Sequence, residues 1–102
     1  MMKTTLILAA VAALSLPMTA NAERSGEELY NTKCGICHAA GVAGAPKLGN
    51  AEEWAPRAAK GVDGLLASAK SGINAMPPMG TCMDCSDTEM TAAIQYMLDA
   101  SK

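Results

Sequence analysis

Two cysteines and a histidine within five residues, Cys34-Gly35-Ile36-Cys37-His38, constrain this chain more than anything else in it. C-x-x-C-H is the spacing at which two thiols can each add to a haem vinyl group, while the next residue lies under the iron. The stretch therefore specifies one covalent cofactor, haem c, held by Cys34 and Cys37 and ligated by His38. Cys-Gly-x-Cys also occurs in thioredoxin-like redox sites, but those follow a strand in a βαβ pattern, and none is visible here. A structural zinc site would pair Cys34 and Cys37 with Cys82 and Cys85. The two pairs are separated by 44 residues, and His38 would go unexplained.

The N-terminus supports the haem reading by its cellular context. Lys3 precedes an apolar run from Leu6 to Leu16, Pro17 breaks it, and Ala20-Asn21-Ala22 is an A-x-A cleavage site. Residues 1–22 read as a cleaved secretory signal peptide, too short and wrongly flanked to span a membrane. The mature domain is then 23–102, exported to an oxidising compartment where disulfides persist.

Charge and core inventory narrow the class further. The whole chain carries 8 Lys and Arg against 10 Asp and Glu, and Lys3 is the only charge in the leader, so the mature balance moves from −2 to −3. Phosphate binding needs a basic patch, so no nucleic-acid partner is expected. With no Phe, one Trp and two Tyr, the core is thin for a small domain. Domains of this size need a staple, and a buried haem would be one large flat apolar body filling that gap.

Four helices are expected, with no strand pattern and no repeat, giving an all-α domain. Ser25 with Glu28 is a capping box that opens a helix to about Lys33, with Gly26, Tyr30 and Cys34 on one face. The glycine-rich run from Ala39 to Gly49 reads as a loop over the haem edge, where the Pro46 carbonyl could accept the His38 Nδ1–H. Asn50 with Glu53 starts a second helix that Pro56 should kink or shorten. On it Trp54 and Arg57 are i, i+3 neighbours, so an indole N–H and a guanidinium could together meet a haem propionate.

Val62, Leu65, Leu66 and Ala69 mark a third helix, stopped by Lys70 and Gly72. Asn74-Ala75-Met76-Pro77-Pro78-Met79-Gly80 then reads as a rigid extended loop that cannot be helical. It holds two thioethers, and composition does not choose between them. Pro77 holds Met76 extended, whereas Met79 precedes Gly80 and is freer to turn outward. Ser86 with Glu89 is a third capping box. It starts a last helix whose Met90, Ala93, Ile94, Met97 and Leu98 form one core stripe.

With these residues assembled, the mature chain resembles a class I monohaem cytochrome c, and within that class the cytochrome c5 group. The resemblance rests on Gly26-x-x-x-Tyr30-x-x-x-Cys34-x-x-Cys37-His38, on Met76-Pro77-Pro78, and on Cys82-x-x-Cys85 before the last helix. It implies a fold of about four helices wrapped around one haem, with the first and last crossing at Gly26. It also implies axial ligation by His38 and Met76, a Cys82–Cys85 disulfide, and the Pro46 carbonyl on His38. Trp54 and Arg57 would lie at the haem edge. A basic residue is common in that group where this chain has Met79, which adds a second thioether that could compete with Met76.

The function implied is a soluble periplasmic one-electron carrier, not an enzyme, with no small-molecule substrate. Its partners would be transient redox proteins, a reductase and an oxidase, soluble or membrane-bound, and the carrier itself a monomer or weak dimer. The rival is a haem protein with an open distal side that binds a gas or reduces peroxide. His38 is the only histidine, so no distal histidine is available to it. A thiol redox role for Cys82 and Cys85 lacks a basic neighbour in the sequence.

Overall fold

A computed structural model describes residues 22–102, so the proposed signal peptide, apart from Ala22, lies outside the described residues. Four helices account for the regular structure there, with no strand among the described residues. None of these helices is long and apolar enough to cross a membrane.

The first helix, 26–38, runs further than its sequence suggested. It begins as Gly26–Leu29, widens into the π-helical Tyr30–Cys34, and closes as Gly35–His38. Ser25 caps it by accepting the Glu28 N–H at 3.0 Å, without the reciprocal bond of a full capping box. The expected stop near Lys33 is absent because the Gly35 N–H reaches back five residues to the Tyr30 carbonyl, so the helix continues through the widened turn. Gly35 permits this, since a Cβ there would stand 3.0 Å from that carbonyl and 3.3 Å from the Tyr30 ring.

The first helix crosses the last, Asp87–Ala100, at Gly26, where any Cβ would run into the Ala92 carbonyl. This close approach seats Leu29, 1% exposed, among Met90, Ala93 and Ile94. Burying such a side chain contributes roughly 1.5–3 kcal/mol. Tyr30 packs on Tyr96 with ring centroids 5.5 Å apart. The last helix carries the full capping box that Ser86 and Glu89 predict, and its Met90, Ala93, Ile94 and Met97 are buried, with Leu98 half-buried.

The second helix, Ala51–Ala58, starts at Asn50, whose Oδ1 accepts the Glu53 N–H, and it ends two residues after Pro56. The third, Gly61–Ser71, stops at Gly72, which adopts φ 88°. Beyond it the loop is more folded than expected. Ile73 and Met76 pair in an isolated bridge, and Pro78–Thr81 form a 3₁₀ turn. Proline at the first position of that turn needs no N–H, so Pro78 starts it without loss.

A second network ties the start of the domain to the last helix. Glu89, 6% exposed, accepts from the Arg24 Nε and from the Arg24 backbone N–H, at 2.8 and 2.9 Å. Arg24 also pairs with Asp84 at 3.3 Å, and its Nη2 lies 3.9 Å from the Cys85 sulfur. A basic neighbour is therefore present at Cys85 after all, brought from 61 positions away, with two carboxylates balancing its charge.

Candidate functional site

One apolar cavity of about 370 Å³ gathers most of the residues singled out in the sequence. Its volume falls in the ~300–1,000 Å³ range of small-molecule and cofactor sites. Cys34, Cys37 and His38 reach it from the first helix, and Met76 and Met79 from the loop after the third. Met90, Ala93, Ile94 and Met97 form a wall from the last helix. Burial pushes the Cys34 thiol above its ordinary pKa. The cavity lining includes Lys33, Arg57 and Lys60 but no carboxylate, in a chain that is acidic overall.

His38 is buried and its ring is held at two points. Nδ1 lies 2.8 Å from the Pro46 carbonyl, and because a carbonyl oxygen only accepts, Nδ1 carries the proton. The lone pair is thereby left on Nε2, the tautomer that can ligate a metal. Trp54 stacks beside the imidazole, 5.8 Å between centroids at 28°. The loop supplying the carbonyl is fixed in turn. The Leu48 N–H donates to the His38 carbonyl at 2.9 Å, and the Glu53 carboxylate accepts the Lys47 N–H at 2.8 Å.

Trp54 and Arg57 do line the cavity; the single indole N–H of Trp54 is used elsewhere, whereas Arg57 has one guanidinium donor engaged and its other N–H groups left for a propionate. The indole N–H of Trp54 donates to the Lys47 carbonyl at 2.9 Å, and Nη1 of Arg57 donates to the Glu53 carbonyl at 2.6 Å. Helical spacing put the two side chains on one face. It could not show that the loop before this helix folds back and offers a carbonyl to the indole first.

Met76 and Met79 also differ from expectation. Met79 does not turn outward: it is half-buried at φ 61° and packs against the core, as Met76 does. The Cys82 and Cys85 sulfurs lie at bonding distance, with Cα atoms 5.4 Å apart and Cys82 only 2% exposed. Serine follows Cys85, so this pair lacks the histidine that Cys37 has beside it.

The donor set fits a covalent haem: two thiols at vinyl spacing, a histidine with a free Nε2, thioethers in the same cavity, and apolar walls. Sequence reasoning missed Lys47 and Gly80, and it read Glu53 and Gly72 only as helix start and stop signals, not as residues that hold the two loops.

The chain is similar to several known haem proteins. Residues 21–97 match the family model described as "Cytochrome C oxidase, cbb3-type, subunit III". A cytochrome c5 of Ectopseudomonas mendocina is 55% identical over 76 residues, covering 72% of this chain and 87% of the relative. Among solved structures, the cytochrome in an electron transfer complex of nitrite reductase with cytochrome c is 48% identical, with TM-score 0.72 over 76% of this chain and 94% of that one. A mono-haem ferrocytochrome c from Shewanella putrefaciens is 52% identical, with TM-score 0.68 over 78% and 96% of the two chains.

Proposed function

Since the chain belongs to the class I monohaem cytochromes c, in the cytochrome c5 group, we propose that it is a soluble periplasmic one-electron carrier. Proteins of this family are electron carriers rather than enzymes, and their cofactor is one covalently attached haem c. When bound, that haem would supply a one-electron couple, and ligation by a thioether as well as a histidine would favour the reduced state. In this reading His38 and Met76 are the axial ligands, and Cys34 and Cys37 form the thioether links.

The observation that carries the proposal is the hydrogen bond from His38 Nδ1 to the Pro46 carbonyl, in a cavity that both His38 and Met76 line. That bond orients the ring and keeps Nε2 unprotonated. The buried wall from the last helix excludes water. With His38 and Met76 both held by the fold, these ligands would have little need to move when an electron enters or leaves, and no substrate pocket would be needed.

Electron exchange would take place at the rim of the cavity. Ile36, Val42 and Ile73 are 73%, 49% and 42% exposed there, beside Lys33, Arg57 and Lys60. An apolar patch with a cationic border suits a brief, weak encounter with a larger redox protein whose docking face is acidic. The relative solved in an electron transfer complex with nitrite reductase supports a redox-protein partner, though not the charge of its face. The Cys82–Cys85 pair is read as a structural disulfide bracing the turn before the last helix, and residues 1–22 as the export signal.

Absorption spectra of oxidised and reduced protein test the ligation directly. The weak near-infrared band of oxidised methionine–haem ligation should be present. Met76→Ala should abolish it and open the iron to added ligands, while Met79→Ala should keep it. Loss in Met79→Ala alone would reverse the assignment, and absence from the native protein would favour the open-haem rival.

A further inference from the structure

Met76 is gripped at both ends by residues with no side chain. Its main chain is fixed by two reciprocal hydrogen bonds: the Met76 N–H donates to the Ile73 carbonyl at 2.9 Å, and the Ile73 N–H to the Met76 carbonyl at 3.1 Å. Gly72, at φ 88°, lies against that carbonyl, and a Cβ there would stand 3.1 Å from it and 3.2 Å from Cδ of Pro78. The far end meets Gly80. A Cβ built on Gly80 would stand 3.0 Å from the Met76 methyl carbon, closer than ordinary van der Waals contact.

Gly80 reaches this position through an unusual backbone. Met79, Gly80 and Thr81 have φ of 61°, 55° and 69° in succession, so the chain doubles back on Met76. Two of those three residues are not glycine, and left-handed backbone is disfavoured for both. Such strain persists where the surroundings over-determine it, and it clusters at functional sites. The turn is closed by the Gly80 N–H on the Pro77 carbonyl at 2.9 Å.

We propose that Gly80 is a positioning residue for Met76: the space left by its missing side chain seats the methionine methyl and so sets the direction in which the thioether sulfur is offered to the iron. The inference rests on the reading of Met76 as the distal ligand. A free methionine end could swing away from a crowding methyl at little cost. A sulfur held by a metal has few orientations left, so the crowding is transmitted to the ligand bond. Substitution at Gly80 therefore weakens ligation more than it weakens the fold.

The experiment compares native holoprotein with Gly80→Ala and Gly61→Ala. Gly61 also has positive φ, 76°, but nothing lies within 4 Å of its would-be Cβ, so it reproduces the backbone strain without the contact. Three signals are read: the near-infrared band of the oxidised protein, the methionine methyl resonance of the reduced protein, and the affinity of the oxidised protein for imidazole. Gly80→Ala should shift the first two and tighten imidazole binding by about tenfold, the factor given by ~1.4 kcal/mol of lost ligation. Gly61→Ala should leave all three unchanged. Should Gly80→Ala not fold, Gly80→Asn and Gly61→Asn replace the pair, since asparagine tolerates left-handed backbone. A normal native band with the Gly80 and Gly61 variants indistinguishable removes the role of Gly80 and leaves Met76 as ligand. A native protein without the band removes the ligand reading and this inference together.

Discussion

The indole N–H of Trp54 donates to the Lys47 carbonyl at 2.9 Å, one residue beyond the carbonyl that orients His38. The two bonds act on one short stretch of chain, so the histidine is steadied from the second helix without any group of that helix bonding to it.

Trp54→Phe keeps the apolar bulk and removes that bond. A buried hydrogen bond contributes about 1 kcal/mol, and the Lys47 carbonyl would be left without this donor. The variant should melt lower and keep its haem. The resonance of the His38 Nδ1 proton and the reduction potential should both move, because the Pro46 carbonyl is less firmly held. Unchanged values for both would show that the loop holds its position without Trp54.

Haem should stay on the chain after denaturation and extraction with acid acetone, through Cys34 and Cys37. Release into the solvent would contradict covalent attachment. Replacing both cysteines by alanine should give an unfolded or haem-free chain, since the cofactor fills the cavity that Met90, Ala93, Ile94 and Met97 face.

Thiol counting on unfolded, unreduced holoprotein should find no free thiol, because Cys82 and Cys85 are joined. The loop closed is short, so the chain-entropy model gives roughly 2 kcal/mol. Cys82→Ser with Cys85→Ser should keep the haem and melt lower. Two free thiols in the native protein would refute the bond.

The Arg24–Glu89 pair predicts a pH dependence with a definite sign. Hydrogen bonds from the Arg24 side chain, first of all, hold the Glu89 carboxyl down at about 2, from an ordinary value of 4.5. A depressed carboxylate stabilises the fold fully above the unfolded value and loses that contribution as pH falls from 4.5 toward 2. Arg24→Ala should therefore lower the melting temperature near neutral pH and move the acid unfolding midpoint upward. The difference from native should shrink once the pH is below both values. An acid titration followed by circular dichroism reads both effects, and an unshifted midpoint would show that the pair does not contribute.

What the sequence determined by itself is local. Cys34, Cys37 and His38 lie within five residues, so their spacing alone specifies the chemistry of attachment. Asn50 with Glu53 and Ser86 with Glu89 mark helix starts through bonds that span three residues, and the stripe from Met90 to Met97 shows its buried face by period alone. The tertiary structure decided what depends on chain returning to chain. The Trp54 donor went to Lys47 because the loop before its helix folds back. Arg24 met Glu89 across 65 positions because the first and last helices cross at Gly26. Gly80 came to face Met76 because three successive residues adopt left-handed backbone, two of them against their own preference. A periodic pattern records which face of a helix is apolar. It does not record the turn angles between helices, and those angles brought the supporting residues to His38 and Met76.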